Sequence, residues 1–249
     1  MNASMRAALH PCVAHRGFSS LAPENTMAAF RVAMNEPYVH WMEIDVHLSK
    51  DDIPVVIHDA KLKRTTNGKG QVRDHTASEL GRLDAGSWFH SSFSGETVST
   101  LEDVLKLTAG KCRLNVEIKG QADDYGLIAR QVVDVLRGQK RLHDTVITSF
   151  VPEIIAEVRK YEATVRTGLI VDNKVDKLIS KLRDLKANFL SIDYGLLNSV
   201  LLQQAIEQNI EVMVWTVNSV SDLRQLLKRP EPFQICTNYP DRWLKAVNE

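Results

Sequence analysis

The residues of this chain best suited to chemistry are two histidines, three acids and two cations, set in short apolar runs where a polar side chain needs a reason to be. Glu43 and Asp45 lie two apart in Glu43-Ile44-Asp45-Val46-His47, and Glu117 and Lys119 lie two apart in Asn115-Val116-Glu117-Ile118-Lys119. Alternate residues of a strand share a face, so each pair points the same way. A lone carboxylate in a strand is ordinarily solvated or salt-bridged. Three that converge repel one another and resist desolvation unless a cation joins them. An all-oxygen set of this kind suits a hard divalent ion, Mg²⁺ or Ca²⁺. His15 ends the run Val13-Ala14-His15, and His58 ends Pro54-Val55-Val56-Ile57-His58. Imidazole titrates near neutrality, so the two can activate a nucleophile and protonate a departing alkoxide, as cleavage of a phosphodiester requires. Arg16 and Lys119 can hold the non-bridging phosphate oxygens, Arg in a bidentate grip.

The elements that would position these groups alternate along the chain. Strands are predicted at Cys12–Arg16, Met42–His47, Arg113–Lys119, Asp144–Ser149, Val165–Val171, Asn188–Asp193, Glu211–Val217 and Gln234–Thr237. Between them run amphipathic patterns at Glu24–Met34, Leu101–Thr108, Tyr125–Arg137, Pro152–Tyr161, Val175–Leu185, Ser199–Gln208 and Ser219–Leu227. Eight strands alternating with helices predict a closed (β/α)8 barrel, a TIM barrel, whose chemistry collects at the C-terminal strand ends. Pro54–His58 follows the second strand too closely for a parallel crossover, so the two form an antiparallel hairpin. With a turn centred on Asp51-Asp52, paired numbers sum to 103 and His58 falls opposite Asp45. Residues 59–99 carry Gly, Asn, Ser and Thr clusters without a long period and are expected to form an insertion over one barrel end. No composition shift marks a second full domain, so the whole chain, 1–249, is expected to be one.

Lys plus Arg and Asp plus Glu each total 31, giving no net charge, and 44% of the residues are hydrophobic. That balance argues against a nucleic-acid partner or a membrane surface held by gross electrostatics. No run reaches the roughly 20 apolar residues of a spanning helix. The N-terminal stretch is too interrupted for a secretory signal. Cys12, Cys112 and Cys236 are odd in number and widely spaced, and read as buried free thiols. A cytoplasmic location fits these features, and a homodimer stays open.

The motifs His15-Arg16-Gly17, Pro23-Glu24-Asn25-Thr26, Glu43-x-Asp45, His58-Asp59, Leu62-x-Arg64-Thr65-Thr66 and Glu117-Ile118-Lys119 resemble, in order and spacing, the glycerophosphodiester phosphodiesterase family. Ser149-Phe150, Trp215-Thr216-Val217-Asn218 and Thr237-Asn238-x-Pro240-Asp241 extend the resemblance over nearly the whole chain. It implies a barrel with a small insertion after its second strand, and hydrolysis of a small glycerophosphodiester to sn-glycerol 3-phosphate and an alcohol. It implies metal ligation by Glu43, Asp45 and Glu117, acid–base work by His15 and His58, and phosphate contacts from Arg16 and Lys119. It places Trp215 beside the glycerol. Two departures stand out: Asp52 occupies a turn position where glycine is common, and Asn238 stands where the family often has Asp and receives no ligand role.

Other residues take plainer readings. His10, His40, His75, His90 and His143 read as surface histidines, and His47 as structural. Glu24 and Asn25 read as helix-start residues, although Asn25 could also orient His15 or Glu43. Asp59 reads as a support for His58. Trp88 divides evenly between packing and a lid. A lysophospholipase-D-like or cyclising phosphodiesterase is the alternative within the enzyme class, and it calls for an apolar lip that Trp88, Phe89 and Phe93 would have to supply. A silent phosphate-binding barrel would have lost a ligand or a histidine, and all five are present.

Overall fold

A computed structural model describes residues 1–120 and 123–249. In chain order the first half holds α1 (Ala3–Leu9), β1 (Cys12–His15), α2 (Met27–Met34), β2 (Val39–Leu48), β3 (Pro54–Val56), α3 (Ala77–Leu80), α4 (Leu101–Thr108) and β4 (Arg113–Ile118). The second half holds α5 (Tyr125–Gly138), β5 (Thr145–Ser149), α6 (Pro152–Tyr161), β6 (Arg166–Val171), α7 (Leu178–Asp184), β7 (Phe189–Asp193), α8 (Ser199–Glu207), β8 (Glu211–Trp215), α9 (Val220–Leu226), β9 (Gln234–Thr237) and α10 (Pro240–Asn248). β1 pairs in parallel with both β2 and β9, which closes a ring of eight parallel strands, while β3 pairs antiparallel with β2 at its rim. This is the expected (β/α)8 barrel with its insertion after the second barrel strand.

Strand parity divides the packing. Met42, Ile44 and Val46 of β2, with Leu114, Val116 and Ile118 of β4, point outward into the main core with the helices. Val13, Trp41, Val146, Phe189, Met213 and Cys236 form a separate apolar cluster. They share the parity of His15, Glu43 and Glu117, so they fill the barrel interior on the N-terminal side of those residues. The polar groups above this plug therefore face one way, toward the mouth.

Residues 59–99 pack around a small core of their own, in which Leu62, Val72, Leu80, Ala85 and Val98 join Val55 and Ile57. Their elements are short: 3-10 turns at Leu62–Arg64, Val72–Asp74 and Ser91–Phe93, and the four-residue α3. The hairpin before them departs from the expected register. Its pairs are Val46–Val56, His47–Val55 and Leu48–Pro54, a sum of 102 and not 103. The reason is a three-residue loop, Lys50-Asp51-Asp52, closed by Ser49 N–H to Ile53 O at 3.0 Å and by Ile53 N–H to Ser49 Oγ at 3.0 Å. Asp52 takes the left-handed conformation, φ 61°, that such a loop demands at its last position.

Three further expectations change or hold. The first helix of the barrel proper starts at Met27, three residues later than predicted, because Thr26 caps it by accepting from Ala29 N–H. Glu24 and Asn25 are thereby freed for other contacts. His10 is not a surface residue but fully buried: its ring packs on Phe233 and its Nε2 pairs with Arg229 O at 3.1 Å. The apolar neighbourhood of the N-terminal segment was too short to show a period. Cys12, Cys112 and Cys236 are buried free thiols, as expected.

Candidate active site

β1 ends at His15, and the chain then turns sharply. Arg16 and Gly17 both have positive φ, 58° and 78°. A Cβ on Gly17 would stand 2.7 Å from the Ala29 carbonyl carbon, so only glycine lets this turn lie against α2. The turn is pinned when Arg16 N–H donates to Glu43 O at 2.9 Å and Asn25 N–H donates to Arg16 O at 3.0 Å. His15, Arg16, Asn25 and the end of β2 are thus one rigid unit.

Glu43 and Asp45 of β2 and Glu117 of β4 are buried, and one oxygen from each lies within 4.8 Å of the others. Among the described residues Glu43 Oε1 is enclosed without a partner, and Asp45 Oδ1 and Glu117 Oε1 meet only Lys119 Nζ. Burial, then repulsion from the neighbouring carboxylates, pushes the Glu43 and Glu117 carboxyls above their ordinary range. Burial pushes Asp45 the same way, but Lys119 and Arg16 outweigh it and hold that carboxyl low. Lys119 Nζ is 3.1 Å from Asp45 Oδ1 and also pairs with Glu117, while Arg16 Nε is 3.1 Å from Asp45 Oδ2. Asn25 Nδ2 donates to the same Oδ2 at 2.8 Å, so Asn25 orients Asp45 and neither His15 nor Glu43. Three buried carboxylates converging at this spacing, with one lysine shared between two of them, fit a hard divalent cation, which prefers anionic oxygen donors.

The histidines flank this cluster, each held through its inner nitrogen. His15 Nδ1 lies 2.6 Å from Asn238 Oδ1 and its Nε2 lies 3.7 Å from Glu43 Oε2. An amide oxygen only accepts, so Nδ1 carries the proton and Nε2 is a free lone pair. Burial, and then Arg16, lowers the His15 pKa to about 4, so the ring is neutral at neutral pH. His58 lies two residues past the end of β3, off the sheet ladder. Its Nδ1 donates to Asp59 Oδ1 at 2.6 Å, and its backbone carbonyl receives His47 Nε2 at 2.9 Å. His47 is therefore structural, and Asp59 supports His58 as expected.

His15, Arg16, Glu43, His58, Glu117, Lys119 and Trp215 line one cavity of about 120 Å³ at the barrel mouth. Asp45, directly across from Glu117 on the neighbouring strand, completes the set. Asn115, Thr148, Phe150 and Ser191 are among the further lining residues that received no role from the sequence. Asn115, Thr148 and Ser191 share the inward parity of Glu117 and Trp215, a signal hidden because a single small polar residue in a strand is common. Thr148 Oγ1 donates to Asn115 Oδ1 at 2.6 Å. Phe150 packs edge-on against Trp215 with centroids 5.8 Å apart, and Lys119 Nζ lies 5.8 Å above its ring. The indole Nε1 of Trp215 is enclosed without a partner among the described residues.

A parallel barrel whose mouth carries this set is that of a phosphoric diester hydrolase, and the comparisons agree. Residues 15–242 match the model of the glycerophosphoryl diester phosphodiesterase family. The chain is 35% identical over 237 residues to a putative glycerophosphodiester phosphodiesterase of Bacillus subtilis, covering 94% of this chain and 96% of that one. It is 34% identical to a glycerophosphodiester phosphodiesterase of Caldanaerobacter subterraneus, covering 87% and 89%. The structure of an Oleispira antarctica phosphodiesterase in complex with the product sn-glycerol-3-phosphate superposes with a TM-score of 0.90 at 27% identity, over the full length of both chains. The chain belongs to the glycerophosphoryl diester phosphodiesterase family. Among the described residues, no helix is long and apolar enough to cross a membrane.

Proposed function

We propose that this chain hydrolyses small glycerophosphodiesters to sn-glycerol 3-phosphate and an alcohol at the cavity bounded by His15 and His58. The observation that carries the reading is three buried carboxylates converging on one point, with Arg16 and Lys119 as their only cationic partners among the described residues and two imidazoles flanking them. Glu43, Asp45 and Glu117 would hold one Mg²⁺ or Ca²⁺, whose charge would polarise a phosphate oxygen and acidify the attacking hydroxyl.

The chain's own groups divide the remaining work. Neutral His15, with Nε2 exposed as a lone pair and Nδ1 spent on Asn238, takes the proton of the attacking hydroxyl. His58, whose Nδ1–H is held by Asp59, returns a proton to the departing alkoxide. Lys119 turns from Asp45 and Glu117 toward the phosphoryl oxygens as negative charge builds there. Trp215, with its free Nε1–H, receives the glycerol hydroxyls. Three buried free thiols support a cytoplasmic location.

The test is to incubate the purified protein with glycerophosphocholine and glycerophosphoethanolamine, with EDTA or with added Mg²⁺ or Ca²⁺, and to assay glycerol 3-phosphate. Release that survives metal removal, or its absence under every condition, refutes the reading. His15→Ala and His58→Ala should each lower turnover by about 10²- to 10⁴-fold while the circular dichroism spectrum is unchanged. A second reading, action on lysophospholipids, draws on the exposed Trp88 and Leu21. Trp88 Nε1 is already spent on Ala85 O, and its ring packs on Phe89, which favours packing over a lid. Lysophosphatidylcholine in the same assay separates the two.

A further inference from the structure

Leu62-Lys63-Arg64-Thr65-Thr66, the first turn after His58, takes no part in the chemistry described above, yet its arginine is tightly held. The Arg64 guanidinium is gripped by two carboxylates. Its Nε donates to Asp59 Oδ2 at 2.7 Å and one terminal nitrogen to Asp59 Oδ1 at 2.9 Å. The outer edge of the same group donates to Glu24 Oε2 at 2.9 Å and Glu24 Oε1 at 2.8 Å. Both grips are bidentate, the geometry in which Arg fixes a carboxylate plane as well as attracting its charge. Glu24 belongs to the segment between β1 and α2, and its other neighbour is Arg16, 2.9 Å away.

His58 needs such a brace. Unlike His15, it is not the last residue of a barrel strand. Strand β3 ends at Val56 and the last hairpin bond is Ile57 N–H to Asp45 O at 3.0 Å; continued, this register would place residue 58 across from Ile44, whose side chain points outward into the helix-facing core. The ring reaches the cavity only because the chain bends away from the sheet after Ile57. Its side chain is about a third exposed, at 32%, so packing alone does not fix its orientation. Two contacts do: His47 on the backbone carbonyl, and Asp59 on Nδ1. Asp59 is itself on a loop, and Arg64 is what holds it.

We propose that Arg64 is a positioning residue for His58: by clamping Asp59 against Glu24 of the barrel wall, it sets the plane of the carboxylate that aims the His58 ring at the leaving group. The clamp ties the insertion, which supplies Asp59 and Arg64, to the barrel segment that supplies Glu24. It also keeps Asp59 ionised, since hydrogen bonds from Arg64 hold that carboxyl well below the usual range. An ionised Asp59 stabilises the imidazolium that donates the proton.

This inference rests on His58 acting as the proton donor, and the experiment separates the two. Two substrates are compared: glycerophosphocholine, whose alkoxide must be protonated, and the 4-nitrophenyl ester of glycerol 3-phosphate, whose nitrophenolate departs without a proton. For Arg64→Leu, kcat on glycerophosphocholine should fall by about 10- to 100-fold, the usual effect of removing a group that orients a working residue. The rate on the nitrophenyl ester should change by less than about 3-fold, because a group that acts only through proton donation is not needed there. Arg64→Lys, which retains the charge and loses the fork, should fall between wild type and Arg64→Leu on glycerophosphocholine and stay folded if the Leu variant does not. The downfield Nδ1–H resonance of His58 should weaken in Arg64→Leu and be absent in His58→Ala. Equal losses on both esters would mean that the damage travels through Glu24 and Arg16, and would overturn the proposal. So would an unchanged kcat on glycerophosphocholine. If His58→Ala slows both esters alike, the fault lies with the proton-donor reading of His58.

Discussion

Lys119 stands in two roles, and replacing it separates them. In the absence of a divalent ion it is the counter-charge that Asp45 and Glu117 share, with Arg16 equally close to Asp45. At an effective dielectric near 20, unit charges 3.1 Å apart attract by about 5 kcal/mol. Desolvation offsets part of that, and removing one partner of a buried pair costs about 3–5 kcal/mol. Lys119→Met should therefore lower unfolding stability by about 3 kcal/mol or more in EDTA. With saturating Mg²⁺ or Ca²⁺ the loss should shrink to about 1 kcal/mol, the value of a single exposed ion pair, because the cation then neutralises the carboxylates. Urea unfolding followed by tryptophan fluorescence, wild type against variant in each buffer, gives both numbers. Turnover should not recover in parallel: kcat at saturating metal should stay about 10²- to 10³-fold low, since the charge that meets the phosphoryl oxygens is gone. Equal destabilisation in the two buffers would show that Lys119 braces the fold and is no stand-in for a cation, and the metal assignment would lose its support.

Three other outcomes follow from the same geometry. Asn238→Leu removes the acceptor that fixes the His15 tautomer, and should lower kcat about 10-fold with KM little changed, whereas Asn238→Asp, which restores an acceptor oxygen, should recover most of it; steady-state kinetics on glycerophosphocholine decide this. His10 has its pKa lowered from 6.5, by burial first, so the folded state disfavours its protonated form. The associated stability is fully present above pH 6.5 and is lost as the pH falls below that value; His10→Gln should flatten this limb of the stability–pH curve measured by urea unfolding, and an unchanged limb refutes the assignment. Gly17→Ala must adopt φ 78° and press a Cβ to 2.7 Å from the Ala29 carbonyl carbon, and thermal unfolding should report a loss of about 3 kcal/mol or more.

The barrel was legible because its signal is repeated: eight apolar runs alternate with amphipathic ones, and each reinforces the reading of the next. The inward direction of Glu43, Asp45 and Glu117 was legible for a local reason, since two-residue spacing within a strand dictates a shared face. Asn25 was harder. Its position before an amphipathic run reads as a helix start, yet Thr26 takes the cap and leaves Asn25 at φ 58°, reaching Asp45. Nothing local in the sequence separates two adjacent residues that can both cap. Asn238 was read only as a departure from a pattern. Its partner, His15, is 223 residues away, and only ring closure between β1 and β9 brings them together.

His58 shows most clearly where local reasoning stops. A two-residue turn would have set it in register with Asp45 on the inward face; the three-residue loop shifts the ladder by one, and that shift would have turned every following side chain to the opposite face. An imidazole nevertheless lines the cavity beside the acid cluster, because the chain turns free of the pleat after the bond from Ile57 N–H to Asp45 O. What aims His58 is thus a set of side-chain contacts from three separate segments: His47 on β2, Asp59 and Arg64 in the insertion, and Glu24 after β1. A ring held by the sheet would tolerate changes in the insertion. A ring held in this way makes the insertion part of the reaction's geometry, and substitutions at Arg64 should change turnover before they change stability.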